Sequence, residues 1–227
     1  YLYGKKAVAT GDDTYTYTDA AGENLTLIDD ASGTDTIDVS QITLGVTLDM
    51  RSGALSSIGR SWEDTLARNS LSIGANVVIE NAIGTADDDS ITGNDANNQL
   101  RGGAGDDTLV GGSGIDTAIF DGSKAAYSIT NDAGALTLQG NDGNDNLITI
   151  ERLQFDDVKI AFDLDANAGT AAKVLGAMAG KESVANQAFV GIALDVLDGG
   201  TSYANLMQLA LDTVLGPNFT NEAVVNL

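Results

Sequence analysis

The chain has 227 residues with 33 Asp and Glu against 11 Lys and Arg, a formal net charge of -22, and neither cysteine nor histidine. That charge argues against nucleic acid and anionic membrane surfaces and invites cations instead. Without imidazole or thiol there is no Ser–His or Cys–His nucleophile, no thiolate metal site and no disulfide.

The length suits one extended domain or two. Self-repulsion opposes compaction until counterions bind, so the cation-free chain is expected to be loose or partly unfolded. No stretch is apolar enough to span a bilayer, and the opening residues carry no signal-peptide pattern. A start at Tyr-Leu-Tyr-Gly without methionine reads as a fragment of a longer chain.

In chain order, YLYGKKAVATGDDTYTY places a Gly-Asp turn at Gly11 ahead of the first strands. SGTDTIDVSQITLGVTLDMRSGALSSIG and then VVIENAIG follow. They lead into GTADDDSIT GNDANNQLR GGAGDDTLV GGSGIDTAI, four consecutive blocks of nine from Gly84 to Ile119. Each block opens with Gly, runs through small or acidic residues to position six, and ends in three residues whose middle member is apolar. Position six is Asp89, Asn98, Asp107 and Asp116; position eight is Ile91, Leu100, Leu109 and Ala118.

One such unit cannot bury its apolar face alone, so the array is predicted to be a solenoid. Three residues make a strand and six a reversing loop, so two blocks close one turn and alternate loops stack on one edge. Asp89 then pairs with Asp107, and Asn98 with Asp116. Parallel strands lie about 4.8 Å apart, which leaves room for an ion coordinated at about 2.3 to 2.6 Å. Glycines allow positive φ and expose carbonyl oxygens. Hard oxygen donors in a loosely constrained shell favour calcium over zinc, copper or magnesium.

Periodicity nine is lost at FDGSKAAYS. AYSIT and ALTLQ around Asn-Asp-Ala-Gly read as a β-hairpin. GNDGNDNLI, from Gly140, repeats the block grammar once out of frame and is expected to be a loop before the strands LITIERLQF and VKIAFDL. From Asp165 the period becomes helical. Ala171, Val174, Leu175 and Met178 share a face, as do Phe189, Ile192, Val196 and Leu197, and Met207, Ala210, Leu211 and Val214. Gly180, Gly199-Gly200 and Gly216-Pro217 are stops and Ser183, Ser202 and Thr220 N-caps, with a short fourth helix near Asn221.

The blocks resemble the RTX nonapeptide GGxGxDxUx found in the parallel β-roll of calcium-binding proteins exported by bacterial type I systems. GGAGDDTLV and GGSGIDTAI follow it well; in the first two blocks Thr85, Asp87, Asn94 and Ala96 stand at glycine positions and Asn98 replaces the acid. The segments LYG, SGTDTIDVS and VVIENAIG further resemble the stretch between catalytic domain and repeats in serralysin-like metalloproteases, from about residue 1 to 120. Residues 165–227 resemble the small helical module that follows RTX arrays in assorted secreted proteins.

The resemblance implies calcium ligands. A first site falls on Ala9, Gly11 and Asp13 with Asp30, Ser32 and Asp35. A neighbour shares Asp35 and adds Gly33, the Val78 carbonyl and Glu80. Within the array one site takes Thr85, Asp87 and Asp89 with Gly102, Ala104 and Asp107, and another Asn94, Ala96 and Asn98 with Gly111, Ser113 and Asp116. Gly103, Gly105 and Asp107 form a half-site whose partner loop would start at Phe120, where no glycine-rich block continues, and it is left open.

The expected architecture is therefore mainly β with an α C-terminal part. Residues 1–10 are the tail of a missing catalytic domain, 11–121 a calcium-binding parallel β-roll, 122–164 a β-hairpin extension and 165–227 a helical cap. The zinc motif HExxH of the protease family is absent, so the chain is expected to be non-catalytic. The resemblance implies a secreted, extracellular serralysin-like protein with several calcium ions, an N-terminal catalytic domain and a type I secretion apparatus as partners. The alternative is an RTX structural or adhesive surface module, for which self-assembly is the distinguishing partner mode.

Overall fold

The computed structural model describes residues 9–215 apart from 24, 62, 133–134, 165 and 181–183. The segment before Ala9, the caps at Ser183 and Thr220, the Gly216-Pro217 stop and the fourth helix lie outside the described residues. The chain divides into two compact units, Tyr1–Ile160 and Ala161–Leu227. Among the described residues it is mostly β, with three α-helices near the C-terminus.

In chain order the first strands are β1 (Thr14–Thr18), β2 (Thr26–Ile28), β3 (Thr36–Gln41), β4 (Thr47–Asp49), β5 (Leu55–Ser56), β6 (Leu71–Ile73), β7 (Asn81–Ile83) and β8 (Ser90–Thr92). Then come β9 (Gln99–Arg101), β10 (Thr108–Val110), β11 (Thr117–Ile119), β12 (Ser128–Asp132), β13 (Ala135–Gln139), β14 (Asn144–Ile148), β15 (Arg152–Gln154) and β16 (Lys159–Ala161). The last three residues of each nonad are the strand, and the glycines and acids before them are the loop.

Successive nonads alternate between two sheets. The seven-stranded sheet has the order β1-β3-β7-β9-β11-β15-β16, and the six-stranded sheet β12-β13-β14-β10-β8-β4. Pairing within the array is parallel and in frame, with Ile91 beside Leu109 and Leu100 beside Ala118. A further sheet, β2-β6-β5, lies in the N-terminal part.

Side chains alternate across a strand, so a three-residue strand commits only its middle residue to the inside. Ile37, Ala82, Leu100, Ala118 and Leu153 in one sheet, and Leu48, Ile91, Leu109 and Leu147 in the other, are all at most 1% exposed. Each large member contributes roughly 1.5 to 3 kcal/mol of burial. The core is therefore two columns of single side chains, one per nonad.

Two stretches differ from expectation. GNDGNDNLI is not only a loop: its second half is β14, which pairs parallel with β10, Leu147 beside Leu109, and antiparallel with β13. The parallel stack resumes at Gly140 after the β12–β13 hairpin, because the out-of-frame copy keeps its apolar residue at position eight. LITIERLQF is not one strand either. Thr149 turns the chain at a φ of 51°, and β15 joins the opposite sheet beside β11. A positive φ on a β-branched residue leaves no mark in the sequence.

In the second unit the helices are α1 (Asn167–Ala179), α2 (Gln187–Asp198) and α3 (Tyr203–Leu215). Gly180 ends α1 at a φ of 78° and Gly200 follows α2 at 84°; the Ser202 hydroxyl accepts the Asn205 N–H at α3. Ala171, Val174, Ala193, Leu197 and Leu206 form the core. Ile192, assigned above to the apolar face of α2, is instead 61% exposed. Ala193 takes the inward place, since close helix approach favours the smaller residue.

With one inward side chain per nonad, a void at Leu109 is flanked in its own sheet only by Ile91 and Leu147. Leu109→Ala should cost about 2 to 5 kcal/mol, read by urea unfolding at fixed saturating calcium. A loss under 1 kcal/mol would show that the column is not the core.

Candidate metal centres

The loops stack as the strands do, and one crossed pair of hydrogen bonds recurs between adjacent turns. At position six, the N–H of the earlier turn donates to the side chain of the later one: Asp13 to Asp35 at 2.9 Å, Asp89 to Asp107 at 2.8 Å and Asn98 to Asp116 at 2.7 Å. At position five the direction reverses. There the later N–H donates to the earlier side chain: Thr34 to Asp12 at 2.9 Å, Asp106 to Asp88 at 2.7 Å and Ile115 to Asn97 at 2.9 Å.

Glycine is required where these turns meet. A Cβ on Gly103, whose φ is 122°, would lie 1.7 Å from the Thr85 carbonyl oxygen. One on Gly84 would lie 2.0 Å from the Gly102 carbonyl oxygen and 2.4 Å from Asp89 Oδ2. Carbonyl and carboxylate oxygens thus converge where side chains are absent.

Of the N-terminal residues, Asp13, Asp30 and Asp35 bring carboxylate oxygens within 4.8 Å of one another. The Tyr15 hydroxyl donates to Asp30, and Gly11 N–H to the Ser32 carbonyl at 2.7 Å. The Ala9 carbonyl accepts the Ala31 N–H at 3.0 Å. Gly33 packs against the Gly11 carbonyl, where a Cβ would come within 2.0 Å. Asp35 N–H donates to Glu80 Oε2 at 2.8 Å, while Val78 is 48% exposed.

In the array Thr85 N–H donates to Asp89 Oδ2 at 2.6 Å. Asp87, Ala104 and Ser113 are exposed, whereas Asp89, Asp107, Gly102 and Gly111 are buried. Gly105 packs on the Asp87 carbonyl group, within 2.7 Å of a built Cβ. The asparagine loop is different. Asn94 and Asn98 donate through Nδ2 to the Ile79 carbonyl at 2.7 and 3.2 Å, and the Ala96 N–H goes to Asn94 Oδ1 at 2.9 Å. Side-chain amide donors thus face the Ile79 and Glu80 carbonyls there.

The position-five residues Asp12, Asp88, Asn97 and Asp106 escaped the sequence reading, as did Glu151, whose Oε2 accepts the Asp116 N–H at 2.8 Å. An Asp or Asn recurs at position five in three of the blocks; it was visible there but was read only as part of an acidic loop.

Residues 83–118 match the family description "RTX calcium-binding nonapeptide repeat" in four copies. The chain carries a calcium-binding RTX module. It is 38% identical over 112 residues to the serralysin of Proteus mirabilis, a match that takes in 44% of this chain and 22% of that protein. The chain thus spans well under a third of the length of this relative, and the RTX region is similar to that of a serralysin.

The electrostatics of the repeat array suit a cation. Burial pushes Asp107 and Asp116 up to about 7, and Asp107 is raised further by the carboxylates of Asp89, Asp145 and Asp88. Asp89 and Asp35 are also raised by burial; Asp30 is lowered by the Tyr15 hydroxyl. Among the described residues, the salt bridges of Arg51, Arg60 and Arg101 go to Asp49, to Asp19 and Asp64, and to Asp121, not to these acids. Asp116 Oδ2 is buried with no hydrogen-bond partner. An oxygen-only set with an orphaned, desolvated carboxylate matches a hard cation.

A sign follows for the metal-free form. Folded carboxylates that titrate near 7 bind more protons than unfolded ones titrating near about 3.9. Their stabilising effect is complete below the unfolded value and lost as pH rises through 7. In chelator, the folded fraction by far-UV circular dichroism should rise as pH falls from about 8 to about 5, acid standing in for the cation. In calcium, whose ligands must be deprotonated, it should not. A flat profile in chelator would contradict the burial of these acids.

Proposed function

We propose that this chain is the calcium-binding C-terminal region of a secreted serralysin-like zinc metalloprotease, itself non-catalytic, and that its repeats form a parallel β-roll that completes its folding only outside the cell. The observation that carries this reading is the stacking of buried position-six side chains, the acid Asp89 above the acid Asp107 and Asn98 above the acid Asp116, with backbone N–H groups between them. Similarity to a serralysin over the same part of the chain supports the parent assignment.

The proposed ligands are those carried over above: Ala9, Gly11, Asp13, Asp30, Ser32 and Asp35; Gly33, Val78 and Glu80; and the loop residues of the array. Bound calcium would supply the positive charge these turns lack. The position-six side chains hold the turns in register, and the glycine carbonyls supply neutral oxygens. The Asn94–Asn98 loop, already bonded through its amides, is the weakest of the proposed sites.

Extracellular calcium modules bind at about 10⁻⁴ to 10⁻³ M, so these sites would be empty in a cytosol and filled outside. A site at a hundredfold excess over its dissociation constant adds roughly 2.7 kcal/mol. A few such sites decide between an unfolded chain in transit and a folded one after export. The folded region then stabilises an attached catalytic domain and assists type I secretion.

Far-UV circular dichroism of the chain, first in chelator and then in millimolar calcium, should show a gain of β-structure that equimolar magnesium does not reproduce. Identical spectra in chelator and calcium would overturn the reading.

A further inference from the structure

One interval joins a turn of the matched repeats to a turn beyond them and belongs to neither of the two complete sites of the array. We infer that the turns Gly102–Asp107 and Gly140–Asp145 enclose a further hard-cation site of the calcium type, its two halves separated in sequence by the β12–β13 hairpin. The inference rests on the calcium reading and adds a ligand loop to it.

This interval reproduces the contacts of the others. Asp107 N–H donates to Asp145 Oδ1 at 3.1 Å at position six, and Asn144 N–H donates to Asp106 Oδ1 at 2.8 Å at position five. These partners are 38 residues apart, where those of the preceding interval are 18 apart. The strands beneath are in frame, Thr108, Leu109 and Val110 beside Asn146, Leu147 and Ile148. Gly143 has a φ of 144°, and a Cβ there would lie 2.0 Å from the Gly105 carbonyl oxygen, as one on Gly103 would crowd Thr85.

The contacts alone would make only a stack of acids. What points to a ligand is Asp145: the residue is 1% exposed, and its Oδ2 is buried without a hydrogen-bond partner. No salt bridge among the described residues reaches it. Asp107, Asp106 and Asp142 set like charge beside it, and the Asn144 side-chain amide donates to Asp106 Oδ1 at 3.2 Å, leaving Asp145 Oδ2 without a donor. A carboxylate oxygen sealed off in this setting calls for a cation.

The site also has a mechanical consequence. The hydroxyl of Tyr127, which leads into the hairpin, lies 2.5 Å from Asp142 Oδ2 and 2.7 Å from the Asp121 carbonyl oxygen, within reach of either for its one proton. Its ring packs on Phe120 and Phe155 at centroid distances of 5.5 and 5.1 Å. A cation between Asp107 and Asp145 would fasten the return of the hairpin to the array.

Calcium bound per chain, counted by equilibrium dialysis, should fall by one in Asp145→Asn, which keeps the shape and the Oδ1 acceptor, and stay unchanged in the exposed control Asp132→Asn. An unchanged count in a folded Asp145→Asn chain overturns this site alone. A wild-type chain that binds no calcium overturns the calcium reading as a whole, and this site with it. Should Asp145→Asn not fold, crystals of the unaltered chain soaked in terbium decide: an anomalous peak between Asp107 and Asp145 supports the site, and peaks only at other turns overturn it.

Discussion

The constraint on which the rest of the structure depends is the repulsion between buried carboxylates on consecutive turns. Parallel strands fix the turns about 4.8 Å apart, and two unit charges about 5 Å apart at an effective dielectric of about 20 repel by about 3 kcal/mol. A hydrogen bond to a charged group returns about 1.5 to 3 kcal/mol, so the N–H from Asp89 to Asp107 brings such a pair only near balance. Burial adds to this cost, and with the neighbouring Asp89 charge it pushes Asp107 up to about 7. In the proposed reading a cation changes the sign, and the fold would become conditional on it.

Other features serve that condition. The core is thin because each nonad gives one inward residue, so burial cannot outweigh the charge by itself. Glycine stands at Gly84 and Gly103 because a side chain there would occupy the space where oxygens converge. The asparagine loop makes the contrast: Asn98 Nδ2 donates to the Ile79 and Glu80 carbonyls, so a neutral hydrogen-bonded amide stands there in place of a buried charge.

Much of this was legible in the sequence. A period of nine with Leu100 and Leu109 at position eight announces both the strand and its inward residue, and the acids at position six announce the stacked edge. The reading failed where geometry has no residue signature. Thr149 turns the chain in a conformation that its side chain disfavours, so LITIERLQF looked like one strand. The copy at Gly140 looked isolated because a hairpin intervenes, and only the pairing of Leu147 with Leu109 restores its frame. Ile192 looked inward because periodicity marks a face but does not say that Ala193 fits closer.

The most direct test of the account is hydrogen exchange at the position-six amides of Asp13, Asp89 and Asn98, measured by NMR in calcium and in chelator. These N–H groups are bonded to the next turn and exchange only when the stack opens. The account predicts strong protection in calcium that is lost at all three on chelation. Equal protection in both conditions would contradict it, since the turns would then hold together without the cation.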